Sequence, residues 1–219
     1  MTEPAAVWPD DWPGGDQPVT SWPADAGSGA LRASMVTPGE WLELDLDPTT
    51  RHRSIRRAVR ESVRRKAVRQ PDAVRVIRQL EQLARRAHDD GAFYCASLVI
   101  ADDTESVPLV ANVMMHLVPC DLPAGRTLAT PPQVCTWLAE CFSPDSEGGN
   151  DIVTLPLVGP ALRHAVVAAG VLVQYFVPLP VSEPTAFVLL TFTCPCPPYA
   201  TLATRLFEAM AASLSLHFD

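Results

Sequence analysis

The sequence predicts an α/β fold of the α+β type, in which a largely antiparallel sheet of six to seven strands is sandwiched by helices. Alternating apolar segments follow one another over connections too short for crossover helices, which favours antiparallel pairing. The segment 92–101 is apolar on both sides, which indicates that helices cover both faces of the sheet. The predicted order of elements is β-α-α-β-β-α-β-β-β-β-α.

Residues 1–38 are predicted to form a disordered acidic tail, and residues 39–219 a single domain. The tail is rich in glycine and proline and poor in aliphatic residues, so burial cannot offset the entropy lost on ordering. It contains three Trp-Pro steps with acidic residues nearby, at Trp8, Trp12 and Trp22. A proline-rich spacer is one interpretation. A docking peptide is the other, because tryptophan is enriched at binding hot spots.

The first elements of the domain are a strand and two helices. Leucines alternate with acidic residues over 42–46, which predicts a half-buried strand. A helix over about 50–68 has only a narrow apolar stripe. A second helix begins at Pro71 and has a wide apolar stripe, so we expect it to pack firmly on the core.

The rest of the domain alternates hairpins and helices. Residues 93–101 and 107–118 predict a hairpin with a polar turn. Thr130 and Gln133 form a capping box that begins a short helix, which ends at about Phe142. Four further strands are predicted at 152–158, 163–169, 171–177 and 186–193. The closing helix carries apolar residues at a spacing of four: Leu202, Leu206, Met210 and Leu214.

Charge is distributed unevenly along the chain. The net charge is −8, yet thirteen of the 17 lysines and arginines lie between residues 51 and 86. Within 51–69 the only acidic residue is Glu61. Six arginines of the first predicted helix are candidates for a partner-binding face: Arg53, Arg56, Arg57, Arg60, Arg64 and Arg65.

The arginine-rich helix predicts an interaction surface. Solvated helix faces normally alternate in sign, whereas like charges in this number repel one another. We therefore expect an acidic protein partner, with the Trp-Pro tail as a second contact. We also expect the tail to dock on the arginines of its own chain. A phosphate-rich ligand and an ordinary solvated face are the alternatives. Nucleic acid is disfavoured, because no aromatic residues are interleaved and the net charge is negative.

No phosphate-binding loop, dinucleotide fingerprint or nucleophile elbow occurs, so a non-catalytic protein with no cofactor, metal site or catalytic residue is expected. The Cys194-Pro195-Cys196 sequence is interpreted as a structural turn. The alternative is a small enzyme or ligand-binding protein with a pocket at one end of the sheet, using Cys196 with His116 or His164. A nucleic-acid-associated regulator is a third possibility. A deep polar pocket would favour the second function, and a basic surface beside an exposed apolar strip would favour the first.

The predicted location is cytoplasmic. The N-terminus shows no basic region followed by an apolar run, and no apolar run reaches 18 residues, so no membrane contact is expected. The six cysteines are then expected to be free thiols.

The C-terminal quarter of the chain resembles a known family. An aromatic strand over 173–178 is followed by an apolar strand over 189–193 and a helix over 206–214. This pattern is similar to the C-terminal hairpin and helix of the PsbP-like superfamily, including the LpqN-type proteins of actinobacteria. The resemblance implies an antiparallel sheet sandwiched by helices and a role in binding proteins. LpqN-type proteins carry a lipoprotein signal, which is not visible here.

Overall fold

The structure is a computed structural model that describes residues 19–26, 29–100, 109–120, 130–141, 148–180 and 186–218. Within those ranges it contains one seven-stranded sheet, one three-stranded sheet and four α-helices, and every strand pairing is antiparallel. The predicted α+β fold is confirmed. No helix in these ranges is long and apolar enough to cross a membrane.

The elements are numbered in chain order. The strands are β1 (Val19–Ala26), β2 (Gly29–Val36), β3 (Trp41–Glu43), β4 (Ala92–Ile100), β5 (Leu109–Pro119), β6 (Gly149–Leu155), β7 (Gly159–Val167), β8 (Val171–Pro178), β9 (Ala186–Cys194) and β10 (Ser215–Phe218). The helices are α1 (Arg51–Arg64), α2 (Ala73–Asp89), α3 (Pro131–Cys141) and α4 (Ala200–Ala212). The large sheet has the order β3-β4-β5-β9-β8-β7-β6, and the small sheet has the order β1-β2-β10.

The alternation of side chains along the strands divides the core into two sides. On β4, Tyr94 and Ala96 belong to a cluster that includes residues of α4, and we call this side of the large sheet the α4 face. Cys95 and Val99 point the other way, into a cluster with residues of α1 and α2. We call that side the α1–α2 face. The helix α3 covers the far end of the same face, where Leu138 packs with residues of β7, β8 and β9.

The α4 face holds the largest buried aromatic side chains. Phe207 of α4 stacks on Phe192 of β9, with ring centroids 4.9 Å apart and planes 17° apart. Tyr175 of β8 meets Phe192 edge-on at 6.2 Å. All three side chains are nearly or fully buried. The pairing of α4 with this face therefore depends on aromatic packing at the centre of the sheet.

The predicted start of the domain at residue 39 is corrected by β2. Leu31, Ala33 and Met35 are at most 1% exposed and belong to the core on the α4 face. They alternate with polar residues, which is a strand signal that the glycines and prolines around it obscured. The sequence analysis also missed β10, which pairs with β2 after the closing helix. Residues 1–18 lie outside the described part of the chain.

Other predicted bounds shift by a few residues. The first helix ends at Arg64, because Lys66 has a left-handed φ of 63°. In α4 the residue Leu202 is 59% exposed, and the buried stripe runs through Ala203, Phe207 and Met210 instead. The Gln133 half of the capping box is present, since the backbone N of Thr130 donates to Gln133 Oε1 at 3.2 Å. The predicted turn at 102–105 lies outside the described residues.

Candidate functional site

The helix α1 presents arginines directly opposite its buried side. Its buried residues are Ile55, Val59 and Ser62. The spacing of three and four residues places four exposed arginines on one line along the other side of the helix. We call this line the arginine row, and it consists of Arg53, Arg57, Arg60 and Arg64. At 1.5 Å per residue the row is roughly 16 Å long.

The other two predicted site residues flank the row. Arg56 is exposed, and its Nη1 lies 3.4 Å from Nε2 of His52. Arg65 is exposed, and its Nε donates to Glu61 Oε1 at 3.2 Å. All six predicted arginines are therefore exposed on or just beyond α1, four of them in one row.

Few carboxylates neutralise this surface. Glu61 also accepts a bond from Arg64 at 3.4 Å, which leaves one carboxylate for two guanidinium groups. Within the described ranges, Arg53, Arg57 and Arg60 form no ion pair. Three of the four charges in the row thus have no carboxylate partner among the residues that the structure describes.

Two carboxylates close to this surface, those of Asp72 and Glu81, are engaged in pairs. Asp72 accepts bonds from both Arg69 and Arg75, each at 2.8 Å. Glu81 lies 2.5 Å from Nδ1 of His52, across the contact between α1 and α2. The His52–Glu81 pair joins the two helices, whereas the Asp72 pairs lie within the turn and the first residues of α2.

An apolar cleft opens between α1 and α2 beside the row. We call it the seam cleft, and its volume is about 240 Å³. The apolar walls come from both helices, and two arginines of the row form part of its lining. The lining residues are Val59, Arg60, Val63, Arg64, Gln70, Ala73 and Ile77. Val74, which follows Ala73 in α2, is 69% exposed.

The structure does not place the backbone of Trp22 near the arginine row. Trp22 lies in β1, where its backbone is opposite Ala33 of β2. These two strands belong to the small sheet, whose β2 residues pack on the α4 face, and α1 lies on the other face. Trp8 and Trp12 lie outside the described residues.

The alternative catalytic pair is divided by the sheet. Cys194 and Cys196 pack with the cluster on the α4 face. His116 and His164 are on strand positions that point to the α1–α2 face, where Nδ1 of His164 bonds Asn150 Oδ1 at 2.7 Å. Burial raises the pKa of the Cys194 thiol, which opposes formation of a thiolate nucleophile. The structure therefore does not assemble the predicted cysteine and histidine.

The cysteines form neither bridges nor ligand clusters in the described part of the chain. All six are free thiols, three of them buried. No group of three or more histidine, cysteine or acidic residues within the described ranges could hold a metal ion.

Burial lowers the pKa of His116, and the charge of Asp90 partly opposes this effect. The Nδ1 atom of His116 is buried without a hydrogen-bond partner among the described residues.

Sequence reasoning missed a row of polar side chains across the α1–α2 face. Ser97 Oγ donates to Asn112 Oδ1 at 2.9 Å, and Asn112 Nδ2 donates to Thr193 Oγ1 at 3.4 Å. These residues come from β4, β5 and β9, and only the strand register aligns them. These polar side chains end at a cavity of about 460 Å³ at one end of the sheet. Asn112 and Thr193 line this cavity among apolar residues. Neither Cys196 nor a histidine lines this cavity.

Comparisons with known proteins find a remote likeness of fold. No protein-family model matches the chain, and no curated protein matches it. A similar solved structure is that of LpqN, described as involved in cell envelope biogenesis of Mycobacterium tuberculosis. The two sequences are 11% identical, the TM-score is 0.46, and the match covers 90% of this chain and 91% of LpqN.

The predicted cytoplasmic location is contradicted by this comparison. The matched protein is described as involved in cell envelope biogenesis. The prediction rested on the absence of a visible leader in the sequence.

Proposed function

We propose that this protein is a non-catalytic adaptor that binds an acidic protein surface through the arginine row. The observation that carries the proposal is that Arg53, Arg57 and Arg60 lie on one exposed line with no ion pair among the described residues. Arg56 and Arg65 extend the contact on either side. The Trp-Pro segment, with Trp8, Trp12 and Trp22, is proposed as a second contact on a surface separate from the row, because Trp22 lies in β1 of the small sheet.

The chemistry of arginine supports a carboxylate-bearing partner. The planar guanidinium group donates two parallel hydrogen bonds to a carboxylate, and it is more weakly hydrated than an ammonium group. A single exposed ion pair contributes about 0–1 kcal/mol, so several arginines must act together for appreciable affinity. Because exposed charges are screened over about 8 Å at physiological ionic strength, the binding should weaken strongly as salt rises.

The surroundings of the row favour a protein over nucleic acid. An apolar cleft lies next to the arginines, whereas the row contains no aromatic side chain on which a base could stack. A basic surface beside an exposed apolar strip is the arrangement expected of a protein-binding site.

We further propose that the chain belongs to the PsbP-like superfamily. The support is the pattern of residues 173–178, 189–193 and 206–214, which form β8, β9 and α4 in the predicted order. The superfamily's role in binding proteins is in keeping with the proposed adaptor function.

The test compares two triple variants of equal net charge. One carries Arg57→Ser, Arg60→Ser and Arg64→Ser in the row, and the other carries Arg78→Ser, Arg85→Ser and Arg86→Ser on exposed positions of α2. The probe is a fluorescein-labelled peptide of alternating glutamate and aspartate, followed by fluorescence anisotropy over a KCl series. We expect the wild type and the α2 variant to bind at low salt, and the row variant to bind at least about tenfold more weakly.

Equal loss in both triple variants would contradict the proposal. In that case the peptide would respond only to overall charge, and the arginine row would be an ordinary solvated face. Unchanged binding in the row variant would also contradict the proposal, because the arginine row would then not be the binding site.

A further inference from the structure

We infer that the seam cleft is an anchor site for one large apolar side chain of an acidic peptide segment. This inference rests on the proposed function and deepens it, because it names the kind of segment that the arginine row would recognise. Under this inference the apolar side chain enters between α1 and α2, and flanking carboxylates meet the arginines at the rim.

The walls of the cleft are apolar and incompletely covered. Val59 is fully buried at the bottom of the cleft, whereas Val63, Ala73 and Ile77 are only half-buried. The two helices therefore leave apolar surface open to solvent where they meet. The volume of about 240 Å³ suits a single large side chain and not a drug-sized ligand.

The charges at the rim are of one sign on the side of α1. Arg60 and Arg64 line the cleft. On a helical projection Glu61 lies on the other flank of α1, where it holds Arg65 as well as Arg64. An approaching carboxylate would thus meet Arg60 with no competing acid from α1.

The acids of the neighbouring segments do not block the entrance. Glu81 is one helical turn beyond Ile77 and is engaged with His52. Asp72 precedes α2 and is held by Arg69 and Arg75. The cleft thus has an apolar interior and a basic edge, which complements an apolar residue set among acidic ones.

This arrangement matches the way protein interfaces concentrate their affinity. A central apolar side chain in a pocket typically contributes most of the binding energy, while charged groups around it set specificity and the rate of association. A row of arginines alone would attract any polyanion. The adjoining cleft favours a partner that also carries an apolar side chain, which a simple polyanion lacks.

The experiment uses the full chain and two labelled peptides of equal charge. One is Glu-Asp-Glu-Leu-Phe-Asp-Glu-Asp, and in the other the Leu-Phe pair is replaced by Ser-Ser. Because burial of one apolar side chain contributes about 1.5–3 kcal/mol, we expect the first peptide to bind about tenfold or more tightly than the second.

Variants locate the difference in the cleft. We expect Ala73→Leu, which fills the space, to reduce the affinity for the Leu-Phe peptide to that for the Ser-Ser peptide. Val63→Ser, at a half-buried wall position, should act in the same direction and serves if the first variant does not fold. The control is Val167→Ser, since Val167 is 63% exposed in β7. Circular dichroism establishes that each variant is folded.

The outcomes separate this inference from the proposed function. Equal affinity of the two peptides for the wild type, lost in the row variant, would overturn the anchor site and leave acidic binding in place. Failure of both peptides to bind would overturn both, and so would binding of single-stranded DNA in their stead. A preference for the Leu-Phe peptide that survives both Ala73→Leu and Val63→Ser would place the anchor elsewhere and overturn the inference.

Discussion

The helices α4 and α1 are of similar length and serve opposite purposes. α4 buries five of its 13 residues, including Phe207 and Met210. α1 buries three of its 14 residues, one of which is a serine, and carries six arginines. Both helices cover the large sheet, but only α4 contributes large apolar side chains to the centre of the core.

The difference shows where stability and recognition are separated in this molecule. Substitutions on an exposed surface change stability little. A helix that carries like charges in place of apolar contacts gains little stability from those charges. Function is therefore expected on α1 and stability on α4. The following experiments test that division.

Removal of the Phe207 ring should destabilise the fold most. The side chain is fully buried and stacked on Phe192, so Phe207→Ala leaves a cavity in the main core. We expect a loss of about 3–5 kcal/mol in the free energy of unfolding, measured by urea denaturation. A loss below about 1 kcal/mol would mean that α4 is not firmly packed on the sheet.

The corresponding change in α1 should cost less. Ile55 is 1% exposed and packs in the smaller cluster between α1, α2 and the sheet edge. We expect Ile55→Ala to reduce the free energy of unfolding by about 2 kcal/mol, at the lower end for such a change. If it costs as much as Phe207→Ala under the same denaturation conditions, the two helices contribute equally to stability and the comparison fails.

Alkaline pH should destabilise both sides of the sheet. Burial raises the pKa of Tyr175 to about 12 on the α4 face and that of Cys95 to about 12 on the α1–α2 face. The reference values are 10.0 and 9.0, so the folded state favours the protonated forms. Their contribution is complete below about pH 8 and is lost as pH rises toward 12. At about pH 10.5 the loss is on the order of 1 kcal/mol for Tyr175 and about 2 kcal/mol for Cys95.

The two groups can be separated by substitution. Cys95→Ala should reduce the alkaline loss from the α1–α2 face, and Tyr175→Phe should reduce it from the α4 face. Urea titrations at about pH 8 and about pH 10.5 measure both effects. An alkaline loss that is the same in wild type and both variants would show that other groups govern it.

Neutralisation of the arginine row should change stability least. The triple change Arg57→Ser, Arg60→Ser and Arg64→Ser relieves like-charge repulsion of a few tenths of a kcal/mol per pair and costs a similar amount of helix propensity. We expect the free energy of unfolding to stay within about 1 kcal/mol of wild type. Wild-type stability should rise with KCl, because salt screens the repulsion, and the variant should lose that dependence.

A large loss of stability in this triple variant would contradict the division between the helices. It would mean that the arginines contribute to the fold through their side-chain stems. The exposed control variant on α2 serves again as the reference for equal removal of charge.

Most elements could be predicted because their signals are local. The capping box at Thr130, the wide stripe of α2 and the alternation of the later strands each depend on residues close in the chain. The missed β2 also has a local signal in Leu31, Ala33 and Met35, but its pairing with β10 joins segments about 180 residues apart. Such pairing cannot be recognised from either segment alone.

The candidate site could be predicted only in part for the same reason. The arginines of α1 are visible in the sequence, because helical spacing alone places four of them on one line. The seam cleft is not visible, because Val63 and Ile77 read as ordinary members of apolar stripes. Only the packing of α1 against α2 decides that these two side chains stay half-exposed.

The sequence by itself therefore determined the class of fold, the order of its central elements and the charge of α1, since periodicity and charge are properties of neighbouring residues. The tertiary structure decided which face of the sheet each element covers. It separated Cys196 from His116 across the sheet, and it placed a cleft beside Arg60. These outcomes depend on strand register and on contacts between distant segments, which no local pattern contains.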